Sequence, residues 1–190
     1  LNPLQFGVDM VMHSATKALA GHSDALAGVL VVGSERSASD LRDARALTGA
    51  VPGSMDSWLT LRGIRTLALR VGRATESAGT IARLLSERGL ATYYPGLESH
   101  PGHDIALSQM RGMGSIVSVD LETLHDAAAF IGALEVFTSA TSLGGVESLA
   151  EHRVRSDPEM DPGLVRLSIG VEDVADLTRD VERALGAVGR

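Results

Sequence analysis

Two short apolar runs open the chain. Val8-Asp9-Met10-Val11-Met12 and Gly28-Val29-Leu30-Val31-Val32 have the length and composition of buried strands, with a polar segment between them. The period then changes. Ser39 to Leu47 reads as a short helix, followed by the turn-forming loop Thr48-Gly49-Ala50-Val51-Pro52-Gly53. Ser54 reads as an N-cap, and Asp56 in the first turn complements the helix dipole. Trp58, Leu61, Ile64, Leu67 and Val71 recur at helical spacing, continued by Ile81, Leu84 and Leu85 up to Gly89, a C-terminal stop. The pattern predicts a long, interruptible helix over about 54–88, of a length that can bridge two domains. The arginines at 62, 65, 70 and 73 are expected on a solvated or subunit-facing side of it.

Further on, Ala91-Thr92-Tyr93-Tyr94 and Gly114 to Leu121 read as strands, separated by a loop through Pro95 and His103. Thr123 is placed to cap a helix whose one face is Leu124, Ala127, Ala128, Ile131 and Leu134. Val136-Phe137 starts another short strand. The last helix begins near Asp173 and carries Val174, Leu177, Val181 and Leu185 at core spacing. Strands alternating with helices after about residue 70 indicate an α/β or α+β domain.

Composition narrows the function. The 190 residues are 44% hydrophobic and 22% charged with a net charge of −7, values ordinary for a soluble globular protein. The acidic balance and lack of a basic run argue against a nucleic-acid partner. No apolar stretch reaches membrane-spanning length, and the first residues lack a signal-peptide pattern. Zero cysteines removes disulfides, thiolate metal sites and thiol catalysis, and fits a cytoplasmic protein.

One residue then stands out chemically. Lys17 is the only lysine, against sixteen arginines. Arginine carries surface charge equally well, but its guanidinium does not lose a proton and attack a carbonyl. A lysine amine, desolvated or set near another cation, does. The count alone leaves imine chemistry and a chance surface lysine both open. The setting favours the first: Lys17 sits between the two apolar runs, and Ser14 and Thr16 flank it with hydroxyls suited to a phosphate. Ser14-Ala15-Thr16-Lys17 also fits the S-x-x-K pattern of serine acyl-enzymes. That chemistry needs K-T-G and S-D-N elements, and both are absent. His100 and His103 invite a metal reading, but the Pro-Gly between them prevents helical presentation and no further ligands are near in sequence.

Three segments resemble one family. Asn2-Pro3-Leu4, Gly7-Val8-Asp9, His13-Ser14-Ala15-Thr16-Lys17 and Gly21-His22-Ser23-Asp24 are similar to the cofactor-lysine region of the Cys/Met-metabolism enzymes that use pyridoxal 5'-phosphate, the cystathionine γ-synthase, γ-lyase, β-lyase and methionine γ-lyase group. Ser57-Trp58-Leu59-Thr60-Leu61-Arg62-Gly63-Ile64-Arg65-Thr66-Leu67 resembles a second segment, in which Gly63 is expected to permit close backbone packing. Ser142-Leu143-Gly144-Gly145-Val146-Glu147-Ser148-Leu149 and Leu164-Val165-Arg166-Leu167-Ser168-Ile169-Gly170-Val171-Glu172-Asp173 resemble a third.

The resemblance implies an α/β, aspartate-aminotransferase-like (type I) fold. Residues 1–70 would be the end of the cofactor-binding large domain, and 71–190 the C-terminal small domain. It makes Lys17 the catalytic lysine that carries the cofactor, with Ser14 and Thr16 on the cofactor phosphate. Arg166, which on its own reads first as a structural ion pair, becomes by the resemblance the clamp on a substrate α-carboxylate, assisted by Ser142 with Thr141 beside it. Carbon–sulfur lyase or transferase activity on cystathionine or homoserine-ester-type amino acids is implied, with methionine γ-lyase or cysteine/cystathionine β-lyase as alternatives. A homotetramer built from dimers is implied too. Two departures bear on substrate choice: Thr141 stands where cystathionine-processing members commonly have Glu, and the family's M-T-H segment after His152 is absent. The chain opens inside what resembles the middle of a family member, so a fragment of a longer protein is expected. The rival from another class is a non-catalytic remnant or scaffold.

Overall fold

The computed structural model describes all residues, Leu1–Arg190, which divide into two compact units, Leu1–Leu67 and Ala68–Arg190. In the first unit, strand β1 (Met10–Ser14) pairs antiparallel with β2 (Gly28–Val32), Met10 facing Val32 and Ser14 facing Gly28. Both apolar runs form strands, but β1 is shifted two residues toward the lysine and neither is buried. Met12 is 69% and Leu30 48% exposed. The ladder has two strands and two faces, and helix α1 (Glu35–Thr48) is the element packed along β2. Run composition reports an affinity for burial, not the layer that supplies it.

Helix α1 begins earlier than its apolar pattern suggested, because the Ser34 hydroxyl accepts from the Ser37 N–H and caps the start. It ends at Gly49, whose φ of 69° lets its N–H reach the Arg45 carbonyl. Helix α2 (Ser54–Ile64) follows, with Gly53 rather than Ser54 at the capping position. The Asp56 carboxylate in its first turn accepts from the Leu26 N–H at 2.9 Å, tying α2 to the loop before β2.

The predicted long helix is two helices. The chain tightens where Arg65 and Thr66 donate to the Arg62 and Gly63 carbonyls, and α3 (Leu67–Glu87) then begins. Its buried face is Arg70, Ala74, Ser77, Ala78, Ile81, Ala82 and Leu85. Arg70 therefore corrects the expectation of a solvated or subunit-facing arginine: it falls on the i, i+4 stripe of that face and is 8% exposed, and burial lowers its pKa.

The second unit is a five-stranded sheet with helices. Strands β3 (Ala91–Tyr93), β4 (Ile116–Asp120), β5 (Thr138–Ser139), β6 (Leu149–His152) and β7 (Leu164–Ser168) lie in the order β3-β4-β7-β6-β5, antiparallel except for the β5–β6 pair. Helices α4 (His103–Gln109), α5 (Leu124–Ala133) and α6 (Val174–Ala187) complete it. Thr123 and Asp173 cap α5 and α6, accepting from the Asp126 and Ala175 N–H groups. Val117 and Val119 on β4, with Val165 and Leu167 on β7, join Ile81 and Leu85 of α3, Phe130 of α5 and Leu177, Val181 and Leu185 of α6 in one core. Replacing Leu177 by Ala here costs about 2–5 kcal/mol.

Alternation along the strands puts Ser118 and Arg166 on the other face from Val117, Val119, Val165 and Leu167. Arg166 is opposite Ser118 on one side and opposite Glu151 of β6 on the other. Asp180 of α6, 3% exposed, accepts from the backbone N–H groups of Glu135, Val136 and Phe137 and so holds the link into β5. No helix is long and apolar enough to cross a membrane.

Candidate functional site

The single lysine lies in a wide helical turn, Ala15–Leu19, that leaves the end of β1. The Ala20 N–H reaches back to the Ala15 carbonyl at 2.9 Å, and Gly21 donates to the Lys17 carbonyl at 2.8 Å. Lys17 departs from helical geometry in the middle of this turn, with φ −83° and ψ −131°. The start of the turn is fastened to the entry of β2: Ala15 and Thr16 both donate their N–H to the Ala27 carbonyl, at 2.8 and 3.2 Å. Beneath it, Gly63 of α2 packs so close that a Cβ there would stand 2.1 Å from the Ala20 carbonyl oxygen. That is the close backbone approach anticipated for Gly63.

Ser14, at the exposed end of β1, makes no capping bond to the turn. The Thr16 hydroxyl is engaged: it accepts from the Ala27 N–H at 3.1 Å and donates to the Ala27 carbonyl at 3.4 Å. The second bond is long enough to exchange for a stronger acceptor at small cost. A lysine amine, a hydroxyl outside the local capping scheme and a second hydroxyl with an exchangeable hydrogen bond form a set that suits a phosphate ester bearing a carbonyl. The residues present fit pyridoxal phosphate.

Thr141, Ser142 and Arg166 belong to the second unit. Here the turn 142–148 is pinned from β7 and the loop after it. The Ser168 hydroxyl accepts from the Gly144 N–H, and Gly144 has a left-handed φ of 78°. Glu172 accepts from both the Ser148 N–H (2.6 Å) and hydroxyl (2.8 Å), while the Gly170 N–H donates back to the Ser148 oxygen at 2.8 Å. Gly170 admits no side chain, since a Cβ would meet the Val146 carbonyl at 2.2 Å.

Arg166 Nη2 donates to the Thr141 carbonyl at 2.6 Å and the Ser142 carbonyl at 3.1 Å. Both residues thus meet the arginine through their backbone. The same nitrogen lies 2.6 Å from Glu151 Oε2. Glu151, 5% exposed, also receives Arg153 Nη1 at 3.0 Å from each of its oxygens, and the Ser156 hydroxyl. Burial opposes ionisation of this carboxyl. The hydrogen bonds from Ser156 and Arg153 and the charges of Arg166 and Arg153 outweigh it and hold the pKa below the usual glutamate value. Arg166 Nε is buried without a partner. That leaves one guanidinium donor without an acceptor, and a carboxylate oxygen is the strongest partner such a donor takes.

Glu151, Arg153 and Ser156 were not singled out from the sequence. The signal available was an acidic residue in an otherwise apolar stretch, but its partner is set by the β6–β7 register. His100 and His103 bond to local backbone, His100 Nδ1 accepting from the Gly102 N–H and His103 Nδ1 lying 2.7 Å from the Pro95 carbonyl.

Comparison with known proteins identifies the family. The profile of the Cys/Met metabolism PLP-dependent enzyme family matches residues 1–186. The chain is 46% identical over 195 aligned positions to cystathionine gamma-synthase of Mycobacterium tuberculosis, covering 97% of this chain and 50% of that protein. It is 43% identical to cystathionine beta-lyase of Lactococcus lactis, covering 96% of this chain and 52% of that protein. Among solved structures, cystathionine gamma synthase from Xanthomonas oryzae pv. oryzae, in complex with aminoacrylate and cysteine, superposes with a TM-score of 0.93 at 38% identity, over 98% of this chain and 52% of that one. The chain spans about half the length of the curated relatives it matches. A match over nearly the whole chain, on the same fold, makes this chain a member of the Cys/Met-metabolism family of pyridoxal-phosphate-dependent enzymes.

Proposed function

We propose that the protein carrying this chain is a pyridoxal-phosphate-dependent carbon–sulfur bond enzyme of transsulfuration and methionine metabolism. It acts on cystathionine or homoserine-ester-type amino acids by β/γ-elimination or γ-replacement. The observation that carries the reading is the lone Lys17, set in a turn fastened by Ala27 and Gly63, beside the Ser14 and Thr16 hydroxyls. In this reading residues 1–70 are the end of the cofactor-binding domain and 71–190 the small domain. The assembly is a homotetramer in the cytoplasm; light scattering on the purified protein tests the tetramer.

Lys17 would hold the cofactor through its carbonyl carbon, and Ser14 and Thr16 would hold its phosphate. When bound, pyridoxal phosphate supplies the electron sink for negative charge developing at the substrate Cα. The chain's own residues then have defined tasks. Arg166 binds the α-carboxylate with its remaining donors and fixes the orientation of the Cα–H bond. The Lys17 amine, once free, takes the proton from Cα and delivers it where the departing or incoming group requires it. The Thr141 and Ser142 carbonyls, on Arg166 Nη2, keep the guanidinium from rotating away.

The test is to add pyridoxal phosphate, record the visible spectrum, reduce with borohydride and map the modified peptide. A visible band fixed onto Lys17 is expected, together with turnover of cystathionine or an activated homoserine ester that Lys17→Ala abolishes. Label spread over other amines with Lys17 unmodified would refute the proposal and favour a non-catalytic scaffold.

A further inference from the structure

Arg166 carries a problem that its own ion pair creates. A carboxylate clamp must present positive charge, yet Glu151 sits 2.6 Å from its Nη2 and neutralises it. An Arg166–Glu151 pair taken alone has no net charge, and an incoming carboxylate would meet the Glu151 carboxylate at close range. Like charges at such distances in a low-dielectric site repel strongly.

The short turn after β6 changes the balance. Arg153 closes on Glu151 with Nη1 at 3.0 Å from both oxygens, and its side chain is 24% exposed. Ser156, three residues on, donates to the same carboxylate. Glu151 therefore has its lone pairs taken from two sides, and the cluster Arg166–Glu151–Arg153 carries one net positive charge. Meanwhile Arg166 Nε is buried with no acceptor.

We propose that Arg153 is a charge-supplying positioning residue for substrate binding. It neutralises Glu151, so that Glu151 anchors Arg166 without cancelling the positive charge that receives an α-carboxylate. The proposal rests on Arg166 being the carboxylate clamp of the function proposed above. It depends on the short connection in which Arg153-Val154-Arg155 forms a tight turn directly after β6.

The charge count gives a test that a purely structural role would not reproduce. The holoenzyme is assayed for kcat and KM, and for competitive inhibition by butyrate and by its uncharged isostere butyramide. Arg153→Gln leaves a neutral cluster, so KM and the butyrate Ki rise about tenfold while kcat stays within about twofold and butyramide is unaffected. Arg153→Lys restores most of the loss. Glu151→Gln combined with Arg153→Gln removes one charge of each sign and returns the butyrate Ki toward the parent value, because the Gln carbonyl still accepts from Arg166. The double variant also guards against misfolding of the single one, and circular dichroism is recorded for each.

Butyrate and butyramide weakening together, or the double variant binding butyrate no better than Arg153→Gln, would overturn the proposal. Arg166→Met separates the two layers. If it abolishes butyrate inhibition while Arg153→Gln does not weaken it, the charge role of Arg153 fails and the clamp stands. If Arg166→Met leaves butyrate inhibition intact, the clamp itself falls and takes this proposal with it.

Discussion

Gly63→Ala sets helix propensity against packing at the lysine turn. In an exposed helix the change would stabilise by about 1 kcal/mol, because alanine loses less conformational freedom. Here the added Cβ would stand 2.1 Å from the Ala20 carbonyl oxygen and 2.8 Å from both its carbonyl carbon and Cα. All three atoms are backbone, so no rotamer relieves the clash. Restoring an ordinary contact of 3.4 Å requires about 1.3 Å of movement by the lysine turn or by α2. Overpacking of this kind costs about 1–3 kcal/mol, which offsets the propensity gain and leaves a net loss of up to about 2 kcal/mol. Displacing the turn by an ångström also moves Lys17, and a misplacement of that size lowers turnover about a hundredfold. Denaturant titration, borohydride labelling of Lys17 in the presence of pyridoxal phosphate, and kcat measure the three effects. A Gly63→Ala protein that is more stable, labels Lys17 at the parent rate and keeps its kcat would refute the reasoning.

Other perturbations follow from the same contacts. Asp180→Ala strands the N–H groups of Glu135, Val136 and Phe137 and is expected to cost about 3–5 kcal/mol by denaturant titration, with Asp180→Asn costing less. Glu151, held below the ordinary value of 4.5, contributes stability that is full above pH 4.5 and is lost as pH falls through its lower folded value. The stability gap between the parent protein and Glu151→Gln should therefore narrow between pH 6 and about pH 3, and a constant gap would contradict the ion cluster. Tyr94 is pushed the other way, its pKa raised above 10.0 by burial against the opposing charge of Arg83, and its hydroxyl donates to the Gly114 carbonyl at 3.1 Å. Stability should fall as pH rises past 10; Tyr94→Phe removes that alkaline loss and costs about 1 kcal/mol at pH 7.

Much of the second unit was legible from local patterns. Thr123 and Asp173 cap the helices they were expected to cap or begin, Gly89 takes the left-handed φ of 78° that stops α3, and Leu177, Val181 and Leu185 fall on the buried face of α6. Each depends on residues within a turn or two of one another. The family's cofactor was legible for a different reason: three segments of the sequence match that family's motifs, and the lone Lys17 among arginines drew attention to one of them.

What the sequence determined by itself was therefore local and chemical: element types, caps, the periodic faces and the family motifs around Lys17, Gly63 and Arg166. What only the tertiary structure decided was what each face meets. The runs around Met12 and Leu30 read as buried, yet their strands pair with each other and leave those side chains exposed. Arg70 read as solvated or subunit-facing, yet it lies on the buried face of α3. Glu151 acquires its partners because the β6–β7 register sets it opposite Arg166 and the following turn folds Arg153 and Ser156 back onto it. Periodicity names a side of an element, but strand register and the close approach of distant backbones choose its neighbours. Whether Arg166 can receive an anion depends on those neighbours, and the sequence does not spell them out.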